Sequence, residues 1–407
     1  MSVQSSKRRL ALVAVATMAC SGLVACSDAG TDASSPSAGV EVGGQRGARD
    51  ASAPGASGPV VSTTPRRAAR DVPVSTLVRV RAAGGTLASV TVRSASAQVA
   101  GSMSEDRFAW TAAERLEPGT DYTIVTVVED ADAGERTRRT SRFTTQDLTL
   151  DEQTYASVAP LQGETVGVGM PVVVSFDLAV RNRAEFEKSM SVTSVPEQVG
   201  SWHWLSDNEA HWRPKKYWQA GSEVTVDVDI NGVDAGRGIY GQESRSVDFT
   251  VGGRNIYRVD ARTHQMKVFS NGDLLRTIPI TTGKAGFTTR SGTKVIMEKH
   301  DSKRMNSETV GISGSEAYDI DNVQYAMRLT YSGEFIHAAP WSVGSQGSAN
   351  VSHGCTGLST DQARWLYSLS KRGDVVEYTG TDRPMTFTNG FGDWNKSFSD
   401  YAAGSAL

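Results

Sequence analysis

The chain has 407 residues, of which 21% are charged, and its formal net charge at pH 7 is −3. This length favours two to four domains over a single one. Because nucleic acid binding needs a concentrated basic surface, the nearly balanced charge argues against nucleic acid as a partner.

The N-terminus has the pattern of an export signal. Lys7-Arg8-Arg9 is positively charged, and the mostly apolar stretch from Leu10 to Val24 is too short for a membrane span. It ends in Leu23-Val24-Ala25-Cys26, which resembles a bacterial lipobox. The resemblance implies that residues 1–26 are a lipoprotein signal peptide and that Cys26 carries lipid at the outer face of the cytoplasmic membrane. A plain secretory leader with an incidental cysteine is the alternative.

Residues 27–58 consist mainly of Ser, Ala, Gly, Asp and Pro, with almost no large apolar side chain. Such a segment buries too little surface to offset its ordering entropy. We therefore expect a flexible linker that holds a folded body away from the bilayer.

An internal repeat predicts the architecture of residues 59–147 and 148–251. One spacing, of nine and then fifteen residues, occurs twice: in Trp110, Gly119 and Gly134, and again in Trp212, Gly221 and Gly236. Alternating strands, Asp121–Val128 and Glu223–Ile230, lie between the glycines. Two all-β units about 100 residues apart indicate tandem immunoglobulin-like sandwiches. Neither unit contains a cysteine pair, so both must depend on core packing.

The second unit carries an aromatic cluster: Trp202, Trp204, Trp212, Tyr217 and Trp218. We expect these side chains to pack inside the protein and against the neighbouring domain. Contact with a glycan is the alternative.

Residues 252–380 change in pattern but remain rich in predicted strands. Two strands, Ile256–Asp260 and Gln265–Phe269, are followed by a tight turn and a third strand ending at Pro279. Residues 297–326 are polar and have few runs that look buried. Ser359–Ser370 predicts a helix that Ser359 or Thr360 caps.

The chemistry centres on Ser352-His353-Gly354-Cys355. Cys355 is the only cysteine outside the predicted leader, so it has no disulfide partner there. Such a thiol is either buried and inert or kept for its reactivity. His337 ends an apolar strand-like run and is a candidate base for a thiol nucleophile.

His337, fourteen intervening residues and Ser-His-Gly-Cys together resemble the signature of the L,D-transpeptidases of the YkuD type. The stretch from Asp260 to Lys284 resembles the opening of that catalytic domain. The resemblance implies that residues 297–326 fold as a lid over the active site, and that residues 381–407 are a C-terminal extension anchored by Trp394. The fold implied is mainly β: two tandem immunoglobulin-like sandwiches, then a β-rich YkuD domain with a short helix and a C-terminal extension.

The resemblance also implies roles for site residues. Cys355 is the nucleophile and His337 the base, its tautomer held by the Ala338 carbonyl. The amides of Gly354 and Cys355 receive the oxyanion, with the Tyr318 hydroxyl as a possible third donor. His353 is expected to orient substrate or support structure rather than act as a base, and Ser352 to hydrogen-bond the turn. Three further residues are expected on the substrate side: Met305, Tyr318 and Tyr331.

The resemblance implies 3→3 cross-linking of peptidoglycan stem peptides, with release of D-Ala, and covalent inhibition by carbapenem-type β-lactams. No cofactor and no metal are expected, since the other histidines form no His-Glu-x-x-His arrangement. We expect a monomer. Carboxypeptidase trimming, attachment to another amine such as a protein, and a non-catalytic wall-binding lipoprotein are the alternatives. A sortase is disfavoured because its His-to-Cys gap is usually longer and no clear Arg follows Cys355.

Two positions depart from the family pattern. Ser291 stands where proline is usual in a turn, and Thr356-Gly357 replaces a hydrophobic residue and a following Asn or Arg. The second departure predicts a lost substrate contact and a wider pocket.

Overall fold

The computed structural model describes residues 58–407. The signal peptide, the lipidation of Cys26 and the linker up to residue 57 lie outside the described residues. Within residues 58–407, no helix has the length and apolar character that a membrane crossing requires.

Strands dominate the described chain. The first group is β1 (Val60–Thr64), β2 (Arg79–Ala83), β3 (Gly85–Arg93), β4 (Gln98–Val99), β5 (Gly101–Met103), β6 (Ala109–Ala112), β7 (Asp121–Asp130) and β8 (Arg136–Thr144). The second is β9 (Gln153–Thr154), β10 (Ala156–Ala159), β11 (Thr165–Val166), β12 (Val172–Phe176), helix α1 (Arg183–Lys188), β13 (Met190–Val195), β14 (Gly200–Ser206), β15 (Glu209–Pro214), β16 (Glu223–Val228), β17 (Asp234–Gly236), β18 (Ile239–Gly241) and β19 (Arg245–Val251). The third is β20 (Asn255–Asp260), β21 (Gln265–Ser270), β22 (Asp273–Pro279), β23 (Gly292–Val295), β24 (Glu298–Asn306), β25 (Asp319–Arg328), β26 (Phe335–Ala338), β27 (Thr356–Leu358), α2 (Thr360–Leu369), β28 (Val375–Thr379) and α3 (Phe398–Ala402).

The first two groups form β-sandwiches, as the repeat predicted. In the first, sheet β1-β2-β6-β5 shares a buried core with sheet β4-β3-β7-β8. In the second, sheet β10-β12-β15-β14 shares a core with sheet β11-β19-β16-β13. The alternation of buried and exposed residues along β7 and β16 explains why these strands were recognisable from sequence.

The repeated tryptophan has the same structural role in both sandwiches. A Cβ built on Gly101 would lie 2.1 Å from the Trp110 ring, and one built on Gly200 would lie 2.1 Å from the Trp212 ring. Each indole therefore covers a glycine on the neighbouring strand, and only glycine leaves room for the ring.

Gly200→Ala is expected to destabilise the protein by about 1–3 kcal/mol, since the added methyl must displace Trp212 or strain the strand. Gly344→Ala is the control, because a Cβ there meets no atom within 4 Å. Thermal unfolding of both variants checks this. Equal midpoints for the two would contradict the packing role of Gly200.

The aromatic cluster packs inside the protein. Trp202, Trp204 and Trp212 are each 6% exposed and Trp218 is 1% exposed, so these four rings pack inside the protein as expected. The Trp218 indole donates to the Met170 carbonyl at 2.8 Å. Tyr217, at the edge, meets the Trp394 ring edge-on at 4.5 Å.

The second sandwich and the following domain share one apolar cluster. Its members from the later part of the chain are Ile256, Val295, Met297, Val375 and Phe391. Backbone amides of Gly167 and Gly169 also donate to the carbonyls of Arg372 and Gly373 at 2.7 and 2.8 Å. The C-terminal extension adds to this joint, because the Trp394 indole donates to the Gly169 carbonyl at 2.7 Å. Trp394 is the anchor that the sequence predicted.

Two sheets build the third group, with strand orders β22-β21-β20-β28-β23 and β24-β25-β26-β27. Helix α2 begins as predicted, with the Ser359 side chain accepting from the Gln362 amide. Strands β26 and β27 pair in parallel and place His337 opposite Gly357. This pairing brings His337 close to Cys355, which immediately precedes β27.

The segment expected to form a lid, residues 297–326, has regular structure. Strands β24 and β25 make a long antiparallel hairpin, and short 3-10 turns lie at its tip. Many of its side chains face solvent on both sides, so the sequence shows polarity instead of the alternation that marks a half-buried strand.

Candidate active site

A cavity of about 460 Å³ lies beneath the lid hairpin, beside strands β26 and β27. Six residues singled out from the sequence line it: Met305, Tyr318, His337, Ser352, His353 and Cys355. The structure thus brings together, in one concave site, groups that are up to 50 positions apart in the chain.

Cys355 is a buried, free thiol, 8% exposed. In the described part of the chain its hydrogen bond runs to the Gly333 carbonyl, at 3.5 Å from Sγ. Burial raises the pKa of the thiol to about 12, opposed by a backbone hydrogen bond from Phe335 and by nearby cations. The resting site therefore holds a neutral thiol, and a thiolate must form when a base removes the proton.

His337 is buried and its ring is fixed by its own strand. Nδ1 lies 2.8 Å from the Ala338 carbonyl, the contact expected from the sequence. A carbonyl only accepts, so Nδ1 carries the proton and Nε2 is left as the basic atom. Burial lowers the pKa of His337, against the opposing effect of the Ala338 carbonyl, and so keeps the imidazole neutral at pH 7.

This lowered pKa has a consequence for the pH profile. If His337 must be neutral to act, the acid limb of kcat/KM should fall below the ordinary histidine value of 6.5. Measuring kcat/KM from pH 4.5 to 8 checks this. An acid limb centred above pH 6.5 would show that protonated His337 is favoured in the folded enzyme and would contradict the geometry.

The loop before Cys355 depends on glycine. Gly354 has φ of +124°, in the region that favours glycine, and its carbonyl accepts from the buried Thr289 hydroxyl at 2.7 Å. Its amide donates to Ser352 Oγ at 3.1 Å, while the Ser352 hydroxyl donates to the Cys355 carbonyl at 2.6 Å. Ser352 is thus the predicted turn hydrogen-bonder. The Gly354 amide is already occupied by it, which corrects the expectation of a free oxyanion donor there.

His353 projects towards the lid. Its Nε2 lies 2.7 Å from the Glu316 carboxylate, and its ring meets Phe287 edge-on at 4.7 Å. Lys284 Nζ contacts the same carboxylate at 2.6 Å. Hydrogen bonds from Lys284 and His353 lower the pKa of Glu316. These contacts fit the expected orienting or structural place of His353 and tie the nucleophile loop to the lid.

Tyr331 does not line the cavity, in contrast to Tyr318 and Met305. It is 54% exposed, in the connection between β25 and β26. Strand pairing of Arg328 with Phe335 turns the chain at this residue and leaves its ring outside the site. Tyr331 therefore lies outside the cavity that contains Cys355, and its expected substrate-side role stays a prediction.

The two departures from the family pattern have structural explanations. Ser291 donates its amide to the Arg383 carbonyl at 2.7 Å, a bond that proline could not make. At Gly357, a Cβ would come within 2.9 Å of both Ala339 and Thr281. The pocket is consequently not widened by the missing side chain, since these two neighbours fill the space.

Sequence reasoning missed Trp341 and Glu316. Trp341 lies in a short 3-10 segment after β26, is 59% exposed, and its ring is 5.9 Å from that of His337. An exposed tryptophan four residues after the candidate base was the available signal for it. No sequence signal pointed to Glu316, because its partners His353 and Lys284 are distant from it in the chain.

Comparison with known proteins gives the same assignment as the geometry. A family model described as a bacterial Ig domain matches residues 69–234, and one described as an L,D-transpeptidase catalytic domain matches residues 254–377. The chain is 36% identical over 340 residues to L,D-transpeptidase 2 of Mycobacterium tuberculosis, covering 83% of this chain and 81% of that protein. It is 33% identical to L,D-transpeptidase 5 of the same species, covering 77% and 69%.

Among solved structures, that of the L,D-transpeptidase LdtMt1 in complex with imipenem shares 36% identity, with a TM-score of 0.49, covering 56% of this chain and 99% of that one. The extent of the match to L,D-transpeptidase 2 and the matched catalytic domain decide the family. The chain belongs to the L,D-transpeptidases, enzymes that act outside the cytoplasm in peptidoglycan cross-linking, and carries a YkuD catalytic domain after an Ig-like region.

Proposed function

We propose that the enzyme forms 3→3 cross-links in two steps through a thioester on Cys355. The donor is a tetrapeptide stem, and its terminal D-Ala is the leaving group. The observation that carries the proposal is the shared cavity of Cys355 and His337, in which the Ala338 carbonyl fixes the imidazole tautomer.

In the first step, His337 Nε2 takes the thiol proton while Sγ attacks the carbonyl between the third residue and D-Ala. The resulting oxyanion is received by the Cys355 amide and the Tyr318 hydroxyl, since the Gly354 amide is engaged by Ser352. Collapse breaks the C–N bond, and His337 returns the proton to the departing amine of D-Ala. Thiol and imidazole both start neutral, so no ion pair has to be desolvated first.

In the second step, an amine on a neighbouring stem attacks the thioester. His337 accepts the proton that this amine loses, a new C–N bond forms, and the C–S bond breaks. The thiolate then recovers the proton and the neutral resting site is restored. Water in place of the amine would give only a trimmed tripeptide, and a protein amine would give attachment to the wall.

The same thiol chemistry supports acylation by carbapenems. A β-lactam carbonyl offers Sγ an electrophile of the kind attacked in the first step, and ring opening keeps the leaving amine attached. The solved structure of LdtMt1 contains imipenem, and we propose that carbapenems acylate Cys355 here.

The rest of the chain is proposed to place this site within the envelope. Residues 1–26 act as a lipoprotein signal peptide, Cys26 carries the lipid, and residues 27–58 act as a linker. Two Ig-like domains, 59–147 and 148–251, precede the catalytic domain, 252–380, and the extension, 381–407. The apolar cluster shared by the second sandwich and the catalytic domain favours a rigid connection between these two domains over a flexible one.

Product analysis tests the proposed step. Incubation of the full chain with a disaccharide-tetrapeptide should release D-Ala and give a dimer that has lost one D-Ala. A tripeptide without dimer would replace the proposal by carboxypeptidase activity. Dimer in which both D-Ala residues remain would contradict the donor assignment.

A further inference from the structure

Three charged side chains are packed together behind the active-site loop, and the proposed reaction uses none of them. Lys294 is fully buried, and the side chains of Glu334 and Arg290 are 5% and 14% exposed. Lys294 Nζ contacts one carboxylate oxygen of Glu334. The other oxygen accepts from Arg290 Nη1 at 2.9 Å and from the Arg290 amide at 3.1 Å. Burial of such groups is costly unless all are paired.

Glu334 lies where it affects the nucleophile loop. It directly precedes β26, the strand that carries His337, and follows Gly333, whose carbonyl accepts from Cys355 Sγ. Its Cγ is 3.7 Å from the position of a Cβ on Gly354. The carboxylate end of the cluster thus supports the segment just before Cys355.

Lys294 reaches the other side of the nucleophile. Its Nζ lies 3.8 Å from the centroid of the Tyr378 ring, and the Tyr378 hydroxyl lies 2.6 Å from Thr356 Oγ1. Thr356 directly follows Cys355. The cluster therefore reaches both neighbours of Cys355 in the chain. It lies against Gly354 through Glu334, and it contacts Tyr378, whose hydroxyl holds Thr356.

The charges of the cluster oppose one another at the thiol. Burial lowers the pKa of Lys294 to about 8, against the raising effect of Glu334, so Lys294 loses its charge above that pH. Among the groups acting on the pKa of Cys355, Glu334 raises it while Lys294 and Arg328 lower it. The other titratable groups around the thiol are His337, which is neutral, and the phenols of Tyr318 and Tyr378.

We propose that Lys294, Glu334 and Arg290 form a buried positioning cluster that holds the Cys355 loop against β26. None of the three lines the cavity, so they act through Cys355 and not on the substrate. The inference rests on the proposed function only in taking Cys355 as the nucleophile.

The test uses the full chain and two readouts. One is the rate of iodoacetamide alkylation of Cys355 at pH 7.5, located by peptide mapping, which reports on the thiol whatever the substrate. The other is kcat and KM for D-Ala release. Lys294→Met takes one of its two cations from Glu334 and should loosen the loop. It is expected to raise the alkylation rate about tenfold by exposing the thiol and to lower kcat about tenfold, with KM within about twofold.

Adding Glu334→Gln to that variant removes the carboxylate that has lost a partner, and should bring the alkylation rate and kcat back towards the wild-type values. Arg290→Gln changes the more accessible member, likewise takes one cation from Glu334, and should change the alkylation rate in the same direction. It carries the test alone if Lys294→Met does not fold.

Asp393→Asn is the control, because it removes a carboxylate from a different buried pair, far from the cavity lining. It should lower the unfolding temperature and leave the alkylation rate unchanged. Unchanged alkylation rates in Lys294→Met and Arg290→Gln, or a double variant no closer to wild type than the single one, would overturn the proposal. If the variants change the alkylation rate but the unsubstituted chain releases no D-Ala from the donor, the positioning role stands and the proposed function fails.

Discussion

Cys355→Ala is expected to reduce cross-link formation by more than about 10³-fold, because the site then has no group able to form the acyl intermediate. The nearest hydroxyl in the loop, that of Ser352, is committed to the Cys355 carbonyl and accepts the Gly354 amide. Dimer formation, measured by chromatography of muropeptides, checks this.

The variant should fold. The thiol makes one weak hydrogen bond and removal of a single sulfur from the small Ala326, Phe335 and Cys355 cluster costs little packing. An unfolding temperature close to that of the wild type would separate lost chemistry from lost structure. Residual cross-linking above about one per cent in a folded variant would contradict the role of Cys355.

The second large effect concerns stability and its dependence on pH. His211, on β15, is fully buried, with Nδ1 2.9 Å from Asp393 in the C-terminal extension and Nε2 3.1 Å from Glu209. Burial is the largest single effect and opposes the imidazolium charge, but the Asp393 and Glu209 carboxylates together outweigh it and raise the pKa of His211 to about 9.

A histidine whose folded-state pKa exceeds its unfolded value of 6.5 stabilises the protein fully below pH 6.5, and this contribution is lost as pH rises through about 9. The shift corresponds to on the order of 3 kcal/mol. The free energy of unfolding should therefore fall between pH 6.5 and 9. Chemical denaturation across this range measures it.

Asp393→Asn should lower the free energy of unfolding at pH 6 by about 3 kcal/mol and remove most of this pH dependence. Asp207→Asn is the matched control, since Asp207 pairs with two arginines at the surface and its loss should change stability little. Equal effects of the two substitutions would show that the His211 pair does not anchor the extension.

Structural features that depend on residues close together in the chain were predictable from local sequence patterns. Alternation identified strands such as β7 and β16, the spacing of Trp110 and Trp212 identified the repeat, and the cap at Ser359 marked helix α2. The motif around Cys355 located the nucleophile loop because its turn and its thiol are adjacent in sequence.

Contacts between distant residues were not predictable in the same way. His211 and Asp393 are 182 positions apart, and Lys294 and Glu334 are 40 apart, so no local pattern pairs them. The raised pKa of Cys355 also escaped prediction, since it follows from burial under the lid, and the lid hairpin itself lacked an alternating signal.

The central claim, that Cys355 carries the acyl group, is tested most directly by intact-mass spectrometry of the full chain with a tetrapeptide donor and no acceptor amine. We predict a protein mass increased by the donor minus D-Ala, with peptide mapping placing the adduct on Cys355. Release of D-Ala with no adduct, or an adduct that persists in Cys355→Ala, would contradict the thioester mechanism.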